Sequence, residues 1–179
     1  VSPTVTWPTG FAATYGRYTV GALVAANPVG QVTVGDTPHF HAAPFEWDGE
    51  FGNLGPAPSV DPATMPPTKA TQSEREATVI AIVATDAALS KAQAARLATM
   101  AQDGIARAVL PSHAPMDGDV VFAVATGAQP LPDGHGATID LMHLGHLAAI
   151  CLSRAIARGV YSATVAPYDP RPTYRDRFG

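Results

Sequence analysis

The sequence predicts an α/β or α+β domain in which helices cover a sheet. Two observations carry this reading. Short runs of branched apolar residues recur within 18–27, at 79–83 and at 120–125, each too short for a helix and bounded by turn residues. Between and after them lie stretches with apolar residues at helical spacing, so that strands alternate with helices. The 179 residues suffice for one domain with a real core, and no internal repeat divides them.

Taken in order, residues 1–17 are punctuated by Gly and Pro and hold at most a short extended piece. YTVGALVAANPVG (18–30) is β-branched and apolar until Asn27-Pro28. Proline pushes the preceding residue out of the α region, which places Asn27 in extended conformation at a strand end. Residues 31–34 read as a brief continuation. Residues 35–77 are rich in Pro, Gly and polar residues and carry neither period, so they form a loop before the next strand. The polar run TQSER (71–75) within it suits a backbone cut. Residues 78–179 form the second part. EATVIAIVATDAAL (76–89) centres on a branched run that reads as a strand buried on both faces. Ser90 is a good N-cap for a helix carrying Leu97, Ala101, Ile105 and Ala108 on one side, and Pro111 ends it. Gly104 inside that helix costs about 1 kcal/mol relative to alanine, which implies a close packing contact. MDGDVVFAVATG (116–127) is a turn followed by a third strand. Thr138 or Asp140 opens a last long helix through about Arg158, with Gly159 as its C-terminal cap. The tail from Pro167 reads as a solvated extension.

Bulk properties exclude several classes. The net charge is −4, and Lys and Arg form no cluster, so no nucleic-acid partner is expected. No uninterrupted apolar run approaches the roughly 20 residues of a bilayer span, so no membrane partner is expected either. The start lacks the pattern of a secretory signal, which points to a cytoplasmic protein; it also lacks Met, as in a fragment or processed form. The lone Cys151 cannot form an internal disulfide and reads as a buried, inert thiol. No cofactor-binding fingerprint is present.

Four places have the residue types for chemistry. Thr78 stands at the mouth of a core strand, directly after the Pro-rich loop. If the chain were cut before it, its own α-amine, with an unperturbed pKa of about 7.7–8.0, could serve as the base for its hydroxyl. Asp117-Gly118-Asp119 stands at the entrance of the third strand, where alternation can point both carboxylates to one side, toward Thr78. Asn27 at a strand end can donate its amide to an oxyanion. Taken alone, each has a plainer reading: a β-branched strand residue, a Gly-centred turn with solvated acids, and an ordinary Asn-Pro turn. The histidines are the fourth. His143 and His146 share a helix face, His39 and His41 alternate in the loop, and His113 and His135 stand alone; packed or capping roles outweigh a metal site, for which no ligand set is visible.

Three stretches in this order change the odds: YTVGALVAANPVG, ATVIAIVATDAAL, and DGIARAVLPSHAPMDGDVVFAVATG. Together they resemble the family of L-aminopeptidase/D-esterases, β-peptidyl aminopeptidases and 6-aminohexanoate-oligomer (nylon oligomer) hydrolases. The resemblance implies an Ntn-hydrolase-like αββα sandwich, made as a precursor that cuts itself before a Ser or Thr. By position, Thr78 matches the nucleophile, Asn27 the oxyanion-holding asparagine, and Asp117 and Asp119 the acidic pair that orients the nucleophile. The Asp/Asp pair is closest to the threonine-dependent nylon-oligomer branch. The implied substrates are small peptides, amino-acid amides or linear amide oligomers, without a cofactor, and the implied assembly is a homo-oligomer. Two departures stand out. The residue before the nucleophile is Ala77, where Asn or Gly is usual, and the resemblance implies an N-terminal half of the domain, with a lysine upstream of Tyr18, that these 179 residues do not include. The rival readings are an acyltransferase similar to ornithine acetyltransferases, and an inactive, truncated domain retained for association.

Overall fold

The computed structural model describes residues 12–59, 61, 63–66, 68, 77–165 and 171–179; the 71–75 segment singled out for a backbone cut lies outside them. Four strands, β1 (Ala12–Tyr15), β2 (Tyr18–Asn27), β3 (Thr78–Ala87) and β4 (Val120–Gln129), form one sheet in the order β1-β2-β3-β4. β1–β2 and β2–β3 are antiparallel, and β3–β4 is parallel. The parallel pair needs a crossover, supplied by α1 (Lys91–Ala101) and α2 (Asp103–Ala108). The long α3 (His135–Tyr161) then packs across the sheet, and a short α4 (Tyr174–Phe178) closes the described chain.

The core lies on one side of the sheet. Val20 and Val24 of β2, and Val79, Ala81 and Val83 of β3, point into it. They meet Leu97 and Ala101 of α1, Ile105 and Ala108 of α2, and Leu144, Ala148, Leu152, Ala155 and Ile156 of α3. Ser90 caps α1 with a full capping box, accepting from the Gln93 amide while the Gln93 side chain accepts from the Ser90 amide. Gly104 sits where α2 meets α3. A Cβ there would lie 2.4 Å from the Ala149 carbonyl oxygen, so only glycine permits this approach.

Several expectations need correction. β3 is not buried on both faces: Ile80 is 50% exposed while Val79 and Val83 are 0% exposed. Helices cover one face, and among the described residues nothing covers the other. The single helix expected after Ser90 breaks at Gln102 into α1 and α2. α3 starts at His135, after Gly134 at φ 61°, and runs past Gly159 to a cap at Ser162. Gly159 is therefore a helical residue, because packing carries the helix past a local stop signal. At 27 residues α3 is long and apolar enough, by length and composition, to cross a bilayer, although no single apolar run announces it. Its buried face against the sheet, α1 and α2 accounts for that composition.

The Pro-rich loop is also anchored where it is described. Phe40, Ala42 and Phe51 are buried, and residues Ala43–Phe45 form a 3₁₀ turn. Glu46 accepts from the Phe51 and Asn53 amides at 2.8 and 2.9 Å, and Glu50 pairs with the buried Arg154 of α3 at 2.5 Å. The tail is likewise no simple extension: Tyr174 is buried, stacks on Phe40 and donates to the Pro38 carbonyl at 2.9 Å. Cys151 is buried, and desolvation raises its pKa, which favours the thiol.

Candidate active site

The site is assembled at the end of the sheet where β2 leaves and β3 and β4 enter. Asn27, the last residue of β2, lies directly opposite Thr78, the first of β3. Opposed residues of an antiparallel pair project to the same face. That face is the one carrying Ile80 and Ile82, so Thr78 and Asn27 stand on the uncovered side of the sheet. Both are half-buried.

The chain leaving α2 is fastened across these strand ends. Gln31 and Leu110 exchange two backbone hydrogen bonds of 2.9 Å each. Gly30 lets the two segments touch, since a Cβ there would lie 2.1 Å from the Pro111 carbonyl oxygen. Asp117 then locks the following turn. Its Oδ1 accepts from the Val29 amide at 2.9 Å, and its Oδ2 from the Ala114 amide at 3.1 Å. Its own amide donates to the Ala114 carbonyl at 2.8 Å. This delivers residues 117–119 alongside Ala77 and Thr78.

Here the parallel ladder between β3 and β4 changes character. Ala77 bridges Asp117, and regular pairing resumes at Ile80 and Val120. Between these points the Gly118 amide donates to the Ala77 carbonyl at 3.1 Å, and the Asp119 side chain accepts from the Val79 amide at 3.0 Å. A carboxylate thus replaces a main-chain acceptor in one rung. The Thr78 hydroxyl donates to the same Ala77 carbonyl oxygen at 2.6 Å. Gly118 faces that hydroxyl: a Cβ at 118 would meet Thr78 Oγ1 at 2.9 Å. The spacing Asp-Gly-Asp therefore has a steric reason. Two acids fasten the flanking backbone, and the residue between them has no side chain to collide with the threonine.

Thr78, Asn27, Asp117 and Asp119, and the Ala77–Thr78 bond, are thus brought to one place. The acids do not touch the threonine in the way the sequence suggested. In the uncut chain the Thr78 nitrogen is a peptide amide in β3, and the carboxylates bind the amides around it. Two further participants stand out. Gly118 was legible as a turn glycine but not as the space for Thr78. His113 looked isolated in the sequence, yet its Nδ1 lies 2.9 Å from Asp119 Oδ2. No local pattern announces it, because the contact spans a turn held by other residues. Of the other histidines, His143 stacks on Tyr15 with ring centroids 4.1 Å apart, and His39 Nδ1 lies 3.0 Å from the Gly55 carbonyl oxygen. Among the described residues no three His, Cys, Asp or Glu side chains converge as a metal site.

Residues 8–169 match the model of peptidase family S58. An uncharacterized aminopeptidase of Mycobacterium leprae is 38% identical over 154 residues, 81% of this chain and 41% of that protein. One of Mycobacterium tuberculosis is 45% identical over 108 residues, 56% of this chain and 31% of that protein. The chain thus spans less than half the length of the curated relatives it matches. Among solved structures, the L-aminopeptidase D-Ala-esterase/amidase of Ochrobactrum anthropi, described as a variant of the Ntn hydrolase fold, superposes with a TM-score of 0.55 at 22% identity, over 93% of this chain and 41% of that one. The α+β arrangement seen here is part of that fold. With the family model matched along most of its length, this chain belongs to peptidase family S58, the family of L-aminopeptidase/D-esterases and β-aminopeptidases.

Proposed function

We propose that the chain carries the nucleophile of a self-processing amide hydrolase. The observation that carries this reading is the double donation to the Ala77 carbonyl oxygen, by the Thr78 hydroxyl at 2.6 Å and the Gly118 amide at 3.1 Å. The hydroxyl stands against the carbonyl it would attack, and an amide is already aimed at the oxygen that would become negative. Attack by Thr78 Oγ1 on the Ala77 carbonyl carbon moves the acyl group from nitrogen to oxygen. Water then hydrolyses the ester, leaving a carboxylate on Ala77 and a free α-amine on Thr78.

In the processed enzyme that amine takes the proton of the Thr78 hydroxyl as it attacks a substrate amide. The Asn27 side chain, on the same face, donates to the tetrahedral oxyanion. Asp117 keeps the 114–118 turn against the end of β2, and Asp119 holds the start of β3. The leaving amine departs protonated, and water releases the acyl group. Small peptides, amino-acid amides and linear amide oligomers such as those of 6-aminohexanoate fit the family. Among the described residues nothing covers the face on which the site stands, so in this reading the remaining pocket wall comes from outside them.

The test pairs peptide mapping with hydrolysis of amino-acid p-nitroanilides. Wild-type protein should yield a new N-terminus at Thr78 and gain activity in step with it, whereas Thr78→Ala stays whole and inactive. Full activity in Thr78→Ala would defeat the proposal.

A further inference from the structure

We infer that His113 is a positioning residue for the threonine site, acting through Asp119. This rests on the reading of Thr78 as the nucleophile and extends it to a residue outside the four already named. Asp119 is 7% exposed and has both oxygens engaged. Oδ1 accepts from the Val79 amide at 3.0 Å, and Oδ2 faces His113 Nδ1 at 2.9 Å. A carboxylate oxygen only accepts, so the imidazole donates through Nδ1. Val79 follows Thr78 directly, so the chain imidazole–carboxylate–amide ends one peptide from the hydroxyl.

This carboxylate stands in for a backbone rung and has more freedom than the carbonyl it replaces. A carboxylate held at one oxygen can swing about its side-chain torsions, and a second donor on the other oxygen removes that freedom. His113 is itself held in an unusual way. Its φ is +53°, a left-handed conformation that non-glycine residues seldom adopt. The segment around it is fixed by the Gln31–Leu110 pair before it and by Asp117 holding the Ala114 amide after it. A strained residue that persists where the surroundings over-determine it is a mark of a functional site. The imidazole is 40% exposed, so burial of apolar surface does not explain its placement.

The experiment compares self-cleavage of the full chain in His113→Gly and His113→Asn, followed by mass spectrometry alongside thermal unfolding. Glycine relieves the left-handed backbone but removes the donor. Asparagine tolerates that backbone and places an amide N–H close to where Nδ1 lies. His113→Gly should unfold no lower than wild type yet cleave at least about tenfold more slowly. His113→Asn should cleave within about threefold of wild type. Equal cleavage in wild type and the glycine variant, or an asparagine variant as slow as the glycine one, would overturn the inference. If the glycine variant does not fold, the asparagine variant decides alone, because near-wild-type cleavage supports the inference and a tenfold loss overturns it. A wild-type chain that never cleaves fails the threonine reading itself, and this inference falls with it.

Discussion

The two faces of the sheet are built from the same four strands and have opposite surroundings. On one face Val79 and Val83 are fully buried under α1, α2 and α3. On the other, Leu23, Ile80, Ile82, Phe122 and Val124 stand exposed, with Phe122 at 55%. A sheet meant to face water on one side alternates apolar with polar residues. Here the alternation is apolar with apolar, so the composition of these strands is that of a sheet covered twice. An αββα sandwich provides the second cover, and the chain spans 41% of the length of the O. anthropi enzyme whose fold it shares. The difference between the faces assigns separate tasks. The helix-covered face holds the fold together; the open face carries Thr78 and Asn27.

Substitutions on the two faces should therefore fail in different ways. Thr78→Ala should reduce amide hydrolysis at least about 1,000-fold while shifting the melting temperature by no more than about 2 °C. Leu152→Ala, on the covered face, should do the reverse. It opens a cavity in the core where α3 packs on α2 and should cost about 2–5 kcal/mol in urea unfolding. Gly118→Ala tests the space reserved for the nucleophile: its Cβ pushes Thr78 Oγ1 off the Ala77 carbonyl, so cleavage should slow about tenfold with stability changed by less than about 1 kcal/mol. Phe122→Ser should change the stability of this chain by only about 0.5 kcal/mol. A loss as large as that of Leu152→Ala would mean that something in this chain covers the open face after all.

The smallest effect concerns pH. Burial lowers the pKa of His41, partly offset by a hydrogen bond with the Thr33 backbone. The unfolded chain then takes up a proton at higher pH than the folded one, so stability is complete above the ordinary histidine pKa of about 6.5 and declines as the pH falls below it. Unfolding midpoints measured between pH 7 and 5 should fall in wild type and fall less in His41→Gln.

Much of the sheet was legible because branched apolar runs bounded by turns leave few alternatives. β2 ends at Asn27, where the following proline says it should, and Ser90 caps α1 as its spacing with Gln93 implies. The arrangement of the site came from resemblance rather than from any one residue, since Thr78, Asn27 and the two acids are ordinary when read alone. What stayed hidden depends on contacts distant in sequence. Burial of a strand depends on what covers it, and an apolar run such as 79–83 looks the same with one cover or two. The loop around Phe40 and Phe51 was read from its prolines, whereas its aromatic residues decide where it packs. His113 reaches Asp119 only because Asp117 and Gly30 shape the turn between them.

The central claim is that the peptide bond before Thr78 is the first substrate of this site. Intact-mass spectrometry of the purified full chain, sampled over time after folding, tests it most directly. The account predicts a decline of the whole chain and the appearance of two pieces, residues 1–77 and 78–179. A chain that stays whole while hydrolysing small amides would contradict it.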